Sequence, residues 1–360
     1  MDLTRAIAII SVVLCHSVEF YFYVYRDHSF FWNTIDLSLK LFDCIGITLG
    51  RVGVPLFFLL TGALVLKKTM DSSDSIRKFY KKNYLSLLIT MELWIIIWNL
   101  WLIFYRYEGG ETDIVTVKTI VEDILLVKVV DTIMPSWYVP VILFIYLLLP
   151  FFIIGVKKLD FSIAIIPITG IVVYSSLIPT INSILISCSL ETIPVPVQIH
   201  DLIFIVYILM GYYVSEKQIL SKVGYKLLLT ISIASLGLCA VMQYCLCQAG
   251  FDYKLFYDNI FLLISTVCMF ELFRRMNSYV SAHKKGSSII TNISIMSLGI
   301  FFIHNLVQYT LYLYTKEVTS ELSSPICVIM MFVASFSISI VLVMILKNNG
   351  ITKKYLLRIR

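Results

Sequence analysis

The amino-acid sequence predicts an all-α, polytopic integral membrane protein of about ten transmembrane helices, with both termini in the cytoplasm. Hydrophobic residues fill 59% of its 360 positions, charged residues fill 14%, and the mean hydropathy is +0.88. A soluble domain has about 45–50% apolar and about 25% charged residues. The apolar residues gather in runs of about 20, which is the length that crosses about 30 Å of hydrocarbon. Short basic clusters separate these runs, a pattern typical of membrane topology.

The individual spans are placed by the length of each apolar run and by its flanking charges. In chain order they cover residues 3–25, 45–66, 84–105, 136–156, 161–180, 199–214, 227–249, 255–273, 289–312 and 325–346. No internal repeat and no hydrophilic stretch of domain size interrupts this series. We therefore expect residues 1–360 to form a single transmembrane domain in the lipid bilayer.

The distribution of lysine and arginine predicts the orientation of these spans. With the N-terminus inside, the cytoplasmic loops and the tail carry 21 of the 29 basic residues. The longest outer loop, residues 106–135, contains six acidic residues. This asymmetry follows the positive-inside rule and favours an even number of spans. It also explains the net charge of +6 without a nucleic-acid partner. Within the outer loop, residues 111–134 form either an amphipathic surface helix or an ordered loop.

A short list of ionisable side chains within the predicted spans or at their ends provides the candidates for function. A charge in that position costs at least about 2.5–3.5 kcal/mol, so each one needs a partner or a function. These residues are Arg5, His16, Glu19, Arg51, Glu92, Asp201, Glu271 and His304. Glu271 is close to Arg274 and Arg275, so it is expected to form an interfacial ion pair. Glu92 and Asp201 are candidates for a polar cavity or for hydrogen bonds between helices.

His16 is a candidate general base. It follows Arg5 by eleven residues on the first helix, so the two side chains share one face and lie about 16 Å apart along the axis. Glu19 follows His16 at i+3, near enough to hydrogen-bond the imidazole and set its tautomer. An imidazole held in this way can take a proton from a hydroxyl near neutral pH. The alternatives are that His16 only hydrogen-bonds within the bundle and that Glu19 lies at the outer interface.

Arg51 lies in the stretch GRVGVPLFFLLTG, whose glycines and Pro55 loosen the second span. Two interpretations of this arginine remain open. Its guanidinium either stabilises an anion among the helices or extends outward to lipid phosphates.

The eight cysteines and the histidines do not predict a metal site. The sequence contains no Cys-x-x-Cys pair and no histidine near a cysteine at the spacing of metal ligands. His16 and His304 belong to separate spans. We interpret the cysteines as small hydrophobic residues of the helix bundle.

Five blocks of sequence carry a family resemblance. They are MDLTRAIAIISVVLCH, RVGVPLFFLLTGALVL, RKFYKKNYLSLLI, PSWYVPVILFIYLLLPFF and IMSLGIFFIHNLV. The first contains Asp2, two residues, Arg5, then ten residues and His16. Together, and in this order along nearly the whole chain, the blocks resemble membrane acyltransferase family 3, which includes bacterial O-acetyltransferases of surface polysaccharides.

The resemblance implies a reaction and a location. The donor is acetyl-CoA or another acyl-CoA at the cytoplasmic face, and the acceptor is a hydroxyl of a cell-surface glycan or lipid-linked saccharide. The protein is then expected in the bacterial cytoplasmic membrane. By the same resemblance His16 is the catalytic base, with Glu19 beside it and Arg5 as its helix partner.

The remaining site residues fall into two predicted groups. Those expected to line the path of the acceptor are Arg51, Trp137, Tyr138 and His304. Those expected to bind the phosphates of CoA, besides Arg5, are Arg77, Lys78, Lys81 and Lys82. The positive-inside rule by itself also accounts for this second group.

Two departures from the family and two rival functions accompany the prediction. Only four residues precede Arg5, and Lys81 and Lys82 stand where arginine is common, so phosphate would meet point charges instead of a bidentate fork.

A transporter of lipid-linked saccharides would also use many helices and intramembrane charges. An inactive scaffold would tolerate loss of Arg5 and His16. The sequence does not separate direct transfer from an acyl-histidine intermediate.

Overall fold

The computed structural model describes residues 1–24, 28–109, 116–125, 137–195, 200–251, 253–282, 284–321 and 324–359. All regular secondary structure within these ranges is helical. The α-helices are, in order, α1 Asp2–Glu19, α2 His28–Thr34, α3 Leu37–Arg51, α4 Gly53–Val65, α5 Ser73–Phe79, α6 Leu85–Gly109, α7 Val117–Ile124, α8 Tyr138–Lys158, α9 Phe161–Val172, α10 Ile178–Ser187, α11 Ile203–Ser215, α12 Tyr225–Gln248, α13 Ile260–Ala282, α14 Lys284–Glu321, α15 Ser324–Lys347 and α16 Gly350–Tyr355.

Eight helical segments of the described residues are long and apolar enough to cross a membrane. They are Asp2–Val24, Leu37–Val65, Ser73–Glu108, Tyr138–Lys158, Phe161–Ser187, Tyr225–Gln248, Ser288–Thr315 and Pro325–Lys347. Three of them contain a π-helical turn that joins two α-helices or extends one, at Phe20–Val24, Tyr80–Tyr84 and Val173–Leu177. The prediction of an all-α, polytopic membrane protein is confirmed, and eight of its ten spans coincide with these segments.

The predicted span 199–214 corresponds to α11, which is shorter than expected. Its 13 residues rise only about 20 Å, less than the hydrocarbon core. Most of its side chains are buried, and Gly211 contacts α4 so closely that a Cβ there would overlap the carbonyl oxygen of Leu59. A helix that is apolar all round and enclosed by protein need not match the bilayer thickness. Asp201 precedes α11 in an exposed turn, so it is not a candidate for a buried cavity.

The predicted span 255–273 corresponds to α13, whose 23 residues include an acidic and two basic side chains. Glu271 is fully buried and accepts hydrogen bonds from Arg274 at 2.7 Å and Arg275 at 2.6 Å. The guanidinium of Arg275 also donates to the carbonyl oxygens of Leu220 and Val223. The predicted ion pair of Glu271 is therefore confirmed, and it ties α13 to the loop before α12.

The second span begins at Leu37 instead of residue 45, and its helical hydrogen bonding is interrupted at Val52, between α3 and α4. Asp36 caps the N-terminus of α3 by accepting a hydrogen bond from the backbone N–H of Leu39 at 2.9 Å. That bond, assisted by the Ser38 hydroxyl, holds the pKa of the Asp36 carboxyl below its usual range. α3 ends at Arg51, so the break falls where the glycines and Pro55 were expected to loosen the helix.

The chain divides into two compact units, each assembled from two separate stretches. Residues 1–68 and 152–294 form the first unit, and residues 69–151 and 295–360 form the second. In the first unit, α1 packs against α3 and α4. Gly50 allows this close approach, because a Cβ there would lie 2.5 Å from the Cα of Cys15 on α1.

We expect Gly50→Ala to destabilise the protein. Overpacking of a tight helix contact typically costs about 1–3 kcal/mol, more than the helix propensity that alanine gains. Gly155→Ala in α8 is the matched control, because nothing lies within 4 Å of a Cβ at that position. Thermal unfolding in detergent should show a lower midpoint for Gly50→Ala and an equal or higher midpoint for Gly155→Ala. Equal midpoints for the two variants would contradict the close contact between α1 and α3.

In the second unit, three tryptophans of α6 hold the N-terminal stretch against the C-terminal one. Trp94 stacks on Phe302 of α14 with ring centroids 5.2 Å apart. Trp98 donates its indole N–H to the carbonyl oxygen of Phe302 at 3.2 Å, and Trp101 donates to the hydroxyl of Thr310 at 3.0 Å. Their spacing of three to four residues places all three indoles on one face of α6.

Candidate functional site

A chain of polar side chains connects α1, α3 and the segment before α13 in the first unit. His16 Nδ1 lies 2.8 Å from Glu19 Oε2, and the other oxygen, Oε1, lies 2.6 Å from Nη2 of Arg51. Arg51 Nη1 also donates to the hydroxyl of Tyr257 at 3.1 Å, and its guanidinium lies over that ring at 5.3 Å from the centroid. The contact expected between His16 and Glu19 is thus present.

Local structure explains why Arg51 reaches Glu19. The glycine before it brings the end of α3 against α1 at Cys15, one turn from Glu19. Arg51 is the last residue of α3, and its guanidinium reaches Glu19 of α1 across this interface. Tyr257 is itself fixed, because its carbonyl oxygen accepts a hydrogen bond from the hydroxyl of Tyr207 at 3.0 Å.

Burial strengthens the contacts among these polar side chains. The side chains of Arg51 and Glu19 are 7% and 12% exposed, whereas His16 is 21% exposed. Arg51 is therefore a buried partner of a carboxylate, and the interpretation that it extends outward to lipid phosphates is wrong. Removing one member of a buried ion pair leaves an uncompensated charge, which costs about 3–5 kcal/mol.

The contacts of Glu19 define the tautomer of a neutral His16. A carboxylate paired with an arginine is an acceptor only, so His16 must donate its Nδ1–H to it. The lone pair of the neutral imidazole then belongs to Nε2. A carboxylate in this position orients the ring and stabilises the imidazolium that forms when Nε2 takes a proton, as in catalytic triads. The arrangement can therefore act as a general base.

Arg5 belongs to a separate polar group near the start of α1. Its Nη1 donates to the Ser294 hydroxyl at 3.1 Å, and that hydroxyl donates to Asp2 at 2.9 Å. Arg5 and Asp2 also form an ion pair at 3.8 Å. Because His16 lies eleven positions after Arg5 on α1, the two side chains act about 16 Å apart along the helix.

Three of the predicted lining residues come together in the second unit. Trp137 packs edge-on against Tyr138, with centroids 5.9 Å apart, and Tyr138 packs against Phe301 at 5.1 Å. Phe301 in turn contacts His304, whose Nδ1 lies 3.0 Å from the carbonyl oxygen of Ile300. Arg51, the fourth predicted lining residue, belongs to the first unit.

The predicted phosphate-binding residues do not form one cluster. All four side chains are exposed, and Arg77 pairs with Asp74 at 3.9 Å on the surface. Lys82 also lines a cavity together with residues of the C-terminal segment. Of the four, Lys82 therefore has the structural setting of a ligand-binding side chain.

Sequence reasoning missed a second buried polar cluster in the first unit. Asp43 is fully buried; the Tyr23 hydroxyl donates to it at 3.1 Å, and His28 Nε2 lies 3.6 Å from the same carboxylate. Gln243 donates to the hydroxyl of Tyr23 at 3.2 Å. His28 and Asp43 fall in the predicted loop between the first two spans, where charged residues carry no signal of burial. Tyr257 and Ser294 were also missed, because aromatic and small polar residues are ordinary within spans.

No group of three or more His, Cys, Asp or Glu side chains among the described residues is arranged to hold a metal ion. No disulfide links the cysteines of this part of the chain, and six of the eight are buried. Their burial agrees with the interpretation that they are small hydrophobic residues.

Comparison with known proteins gives one match. A family model described as an acyltransferase domain, that of acyltransferase family 3, matches residues 1–344. Searches of curated proteins and of solved structures gave no match. The matched range includes the polar side chains that link His16 to Tyr257 and the aromatic group around Phe301. It ends before the C-terminal residues that line the cavity with Lys82.

Proposed function

The chain belongs to this acyltransferase family, and from that membership we propose that it transfers an acyl group from cytoplasmic acyl-CoA to a hydroxyl of a cell-surface or lipid-linked glycan. The family and the eight apolar helices make it a multi-pass membrane acyltransferase. Acetyl as the acyl group, the glycan as acceptor and the bacterial cytoplasmic membrane as location complete the proposal. These finer assignments are supported by the resemblance of the five sequence blocks.

The observation that carries the proposal is the chain from His16 through Glu19 to Arg51. A buried carboxylate orients the imidazole, and a buried guanidinium holds the carboxylate. This order of groups prepares Nε2 of His16 to accept a proton, which an acyl transfer to a hydroxyl requires.

The proposed reaction uses His16 as base and then as acid. Nε2 takes the proton of the acceptor hydroxyl while the oxygen attacks the thioester carbonyl carbon. The carbon–sulfur bond breaks, and the thiolate receives the proton from Nε2. Glu19 stabilises the imidazolium between these two proton transfers, and Arg51 keeps Glu19 ionised and in place. The products are an acylated glycan and CoA, and the protein returns to its starting protonation state.

A second route passes the acyl group through His16 itself. Nε2 attacks the thioester carbonyl first, and the carbon–sulfur bond breaks to release the CoA thiolate. The acceptor hydroxyl then attacks the acyl-imidazole, its proton passes to the thiolate, and the acyl–nitrogen bond breaks to restore His16. Both routes need the lone pair on Nε2 and therefore the contact between His16 and Glu19. Incubation with labelled acetyl-CoA in the absence of acceptor, followed by mass spectrometry of α1 peptides, distinguishes them.

Label transfer in sealed membrane vesicles tests the proposed function. We expect vesicles that contain the protein to incorporate label from [¹⁴C]acetyl-CoA into the glycan fraction, when the donor is supplied on the side that was cytoplasmic. Vesicles from cells lacking the protein are the control. Movement of unmodified glycan across the membrane without incorporation of label would favour the transporter and contradict the proposed donor and acceptor.

A further inference from the structure

A cavity of about 670 Å³ lies in the second unit, outside the chain of His16, Glu19 and Arg51. Its volume is within the range of about 300–1,000 Å³ that is usual for small-molecule sites. The lining residues come from the start of the third span and from the C-terminal segment, and they are Lys82, Ser86, Gly350, Lys353, Lys354, Arg358 and Ile359. Four of these side chains are cationic, and none of the lining residues is acidic.

The C-terminal segment is held in place by specific contacts with α6. The hydroxyl of Thr90 donates to the carbonyl oxygen of Tyr355 at 2.7 Å, and the indole N–H of Trp94 donates to that of Leu356 at 3.0 Å. Leu357 is buried next to Gly299 of α14. The segment is therefore a docked part of the unit, and its basic side chains have defined positions.

The docking brings like charges together. Arg358 adopts a left-handed backbone conformation, with φ of 52°, which is unfavourable for a residue with a Cβ. Its guanidinium donates to the carbonyl oxygen of Asn83 at 3.4 Å, beside Lys82. Lys353 and Arg358 are half-buried, so the repulsion among these cations is less screened than on an open surface.

The positive-inside rule accounts for only part of this arrangement. It explains why a tail at a cytoplasmic face contains lysine and arginine. It does not require the tail to fold back on α6, or two half-buried cations to face a cavity with Lys82. Both features suit the binding of an anion, because they let several charge-assisted hydrogen bonds converge on it.

We infer that this cavity binds the phosphate groups at the nucleotide end of acyl-CoA, with Lys82, Lys353 and Arg358 as the principal ligands. The inference rests on the proposed function for the identity of the donor, and it adds residues beyond the range that the family match covers. Arg358 supplies a planar fork for one phosphate, and the two lysines supply point charges. The shared chemistry is a phosphate ester, which anionic lipid headgroups also carry.

Binding of adenosine 3′,5′-bisphosphate, which is the nucleotide end of CoA, tests the site directly. The full-length protein is placed in nanodiscs of phosphatidylcholine, and the Kd is measured by calorimetry for the wild type and for Lys353→Ala/Arg358→Ala. We expect the Kd of the double variant to rise about tenfold or more, since two charge-assisted contacts are lost. Lys347→Ala is the matched control, because this exposed lysine ends α15 and does not line the cavity.

The outcomes separate the site from the proposed function. A KM for acetyl-CoA that rises in the double variant in the same ratio as the Kd supports the inference. An unchanged Kd overturns it, even when acyl transfer proceeds. The double variant could lose the stabilisation that added phosphatidylglycerol gives the wild-type protein, while its Kd for the nucleotide stays unchanged. That result would assign the cavity to lipid headgroups and also overturn the inference. Normal nucleotide binding through these residues without any acyl transfer would leave the site standing and refute the proposed function.

Discussion

His16→Ala is expected to reduce the rate of acyl transfer by about 10²–10⁴-fold, the usual contribution of a general base. The variant removes Nε2, the atom that accepts the proton in both proposed routes. It also leaves the pair of Glu19 and Arg51 intact, so the helices should still pack. The initial rate of label incorporation from acetyl-CoA, divided by the amount of protein in the membrane, measures the effect.

Ser17→Ala is the matched control for this variant. Ser17 is the next residue of the same helix, it is buried, and its hydroxyl donates to the carbonyl oxygen of Val13 at 2.8 Å. Its loss should leave the rate within a factor of about two to three, since a bond of this kind within a helix adds little stability. If His16→Ala transfers label as fast as Ser17→Ala does, His16 is not the base.

Arg51→Met should cause the largest loss of stability. The substitution leaves the carboxylate of Glu19 buried without its cation, which costs about 3–5 kcal/mol. It also removes the contact with the Tyr257 hydroxyl. We expect a clearly lower unfolding midpoint in detergent and less protein in the membrane, together with loss of activity.

The double variant Arg51→Met/Glu19→Gln separates stability from catalysis. It removes both charges at once, and replacing a whole buried ion pair is often neutral for stability. The unfolding midpoint should therefore return toward that of the wild type, while acyl transfer stays low because His16 has lost its carboxylate partner. A double variant that unfolds as early as Arg51→Met would show that the pair does not account for the stability of this interface.

The spans were predictable because hydropathy and length alone decide which segments can enter a bilayer. The same rule failed at α11, since a helix enclosed by protein is as apolar as a lipid-exposed one and need not be as long. It also failed at the start of the second span, where Lys40 and Asp43 lower the hydropathy of a segment that is helical. Burial of Asp43 depends on Tyr23 and His28, which belong to other helical segments and have no fixed sequence spacing from it.

The local part of the candidate site was predictable, and its tertiary part was not. His16 and Glu19 are three residues apart on one helix, so their contact follows from helix geometry. The partner of Glu19 could not be identified in the same way, because Arg51 belongs to another helix and its approach to α1 depends on the close contact at Gly50. The C-terminal cations are 271 or more positions away from Lys82 in the sequence, and no periodic pattern links them.

The three indoles of α6 have a consequence for biogenesis. Their partners on α14 and in the C-terminal segment are synthesised some 200 or more positions later. Contacts between residues so far apart in the sequence form late. The third span therefore lies in the lipid without its final neighbours until the last spans leave the translocon. During that interval an insertase or membrane chaperone would find these indoles accessible, and a ribosome stalled before residue 295 would leave half of a unit that cannot close.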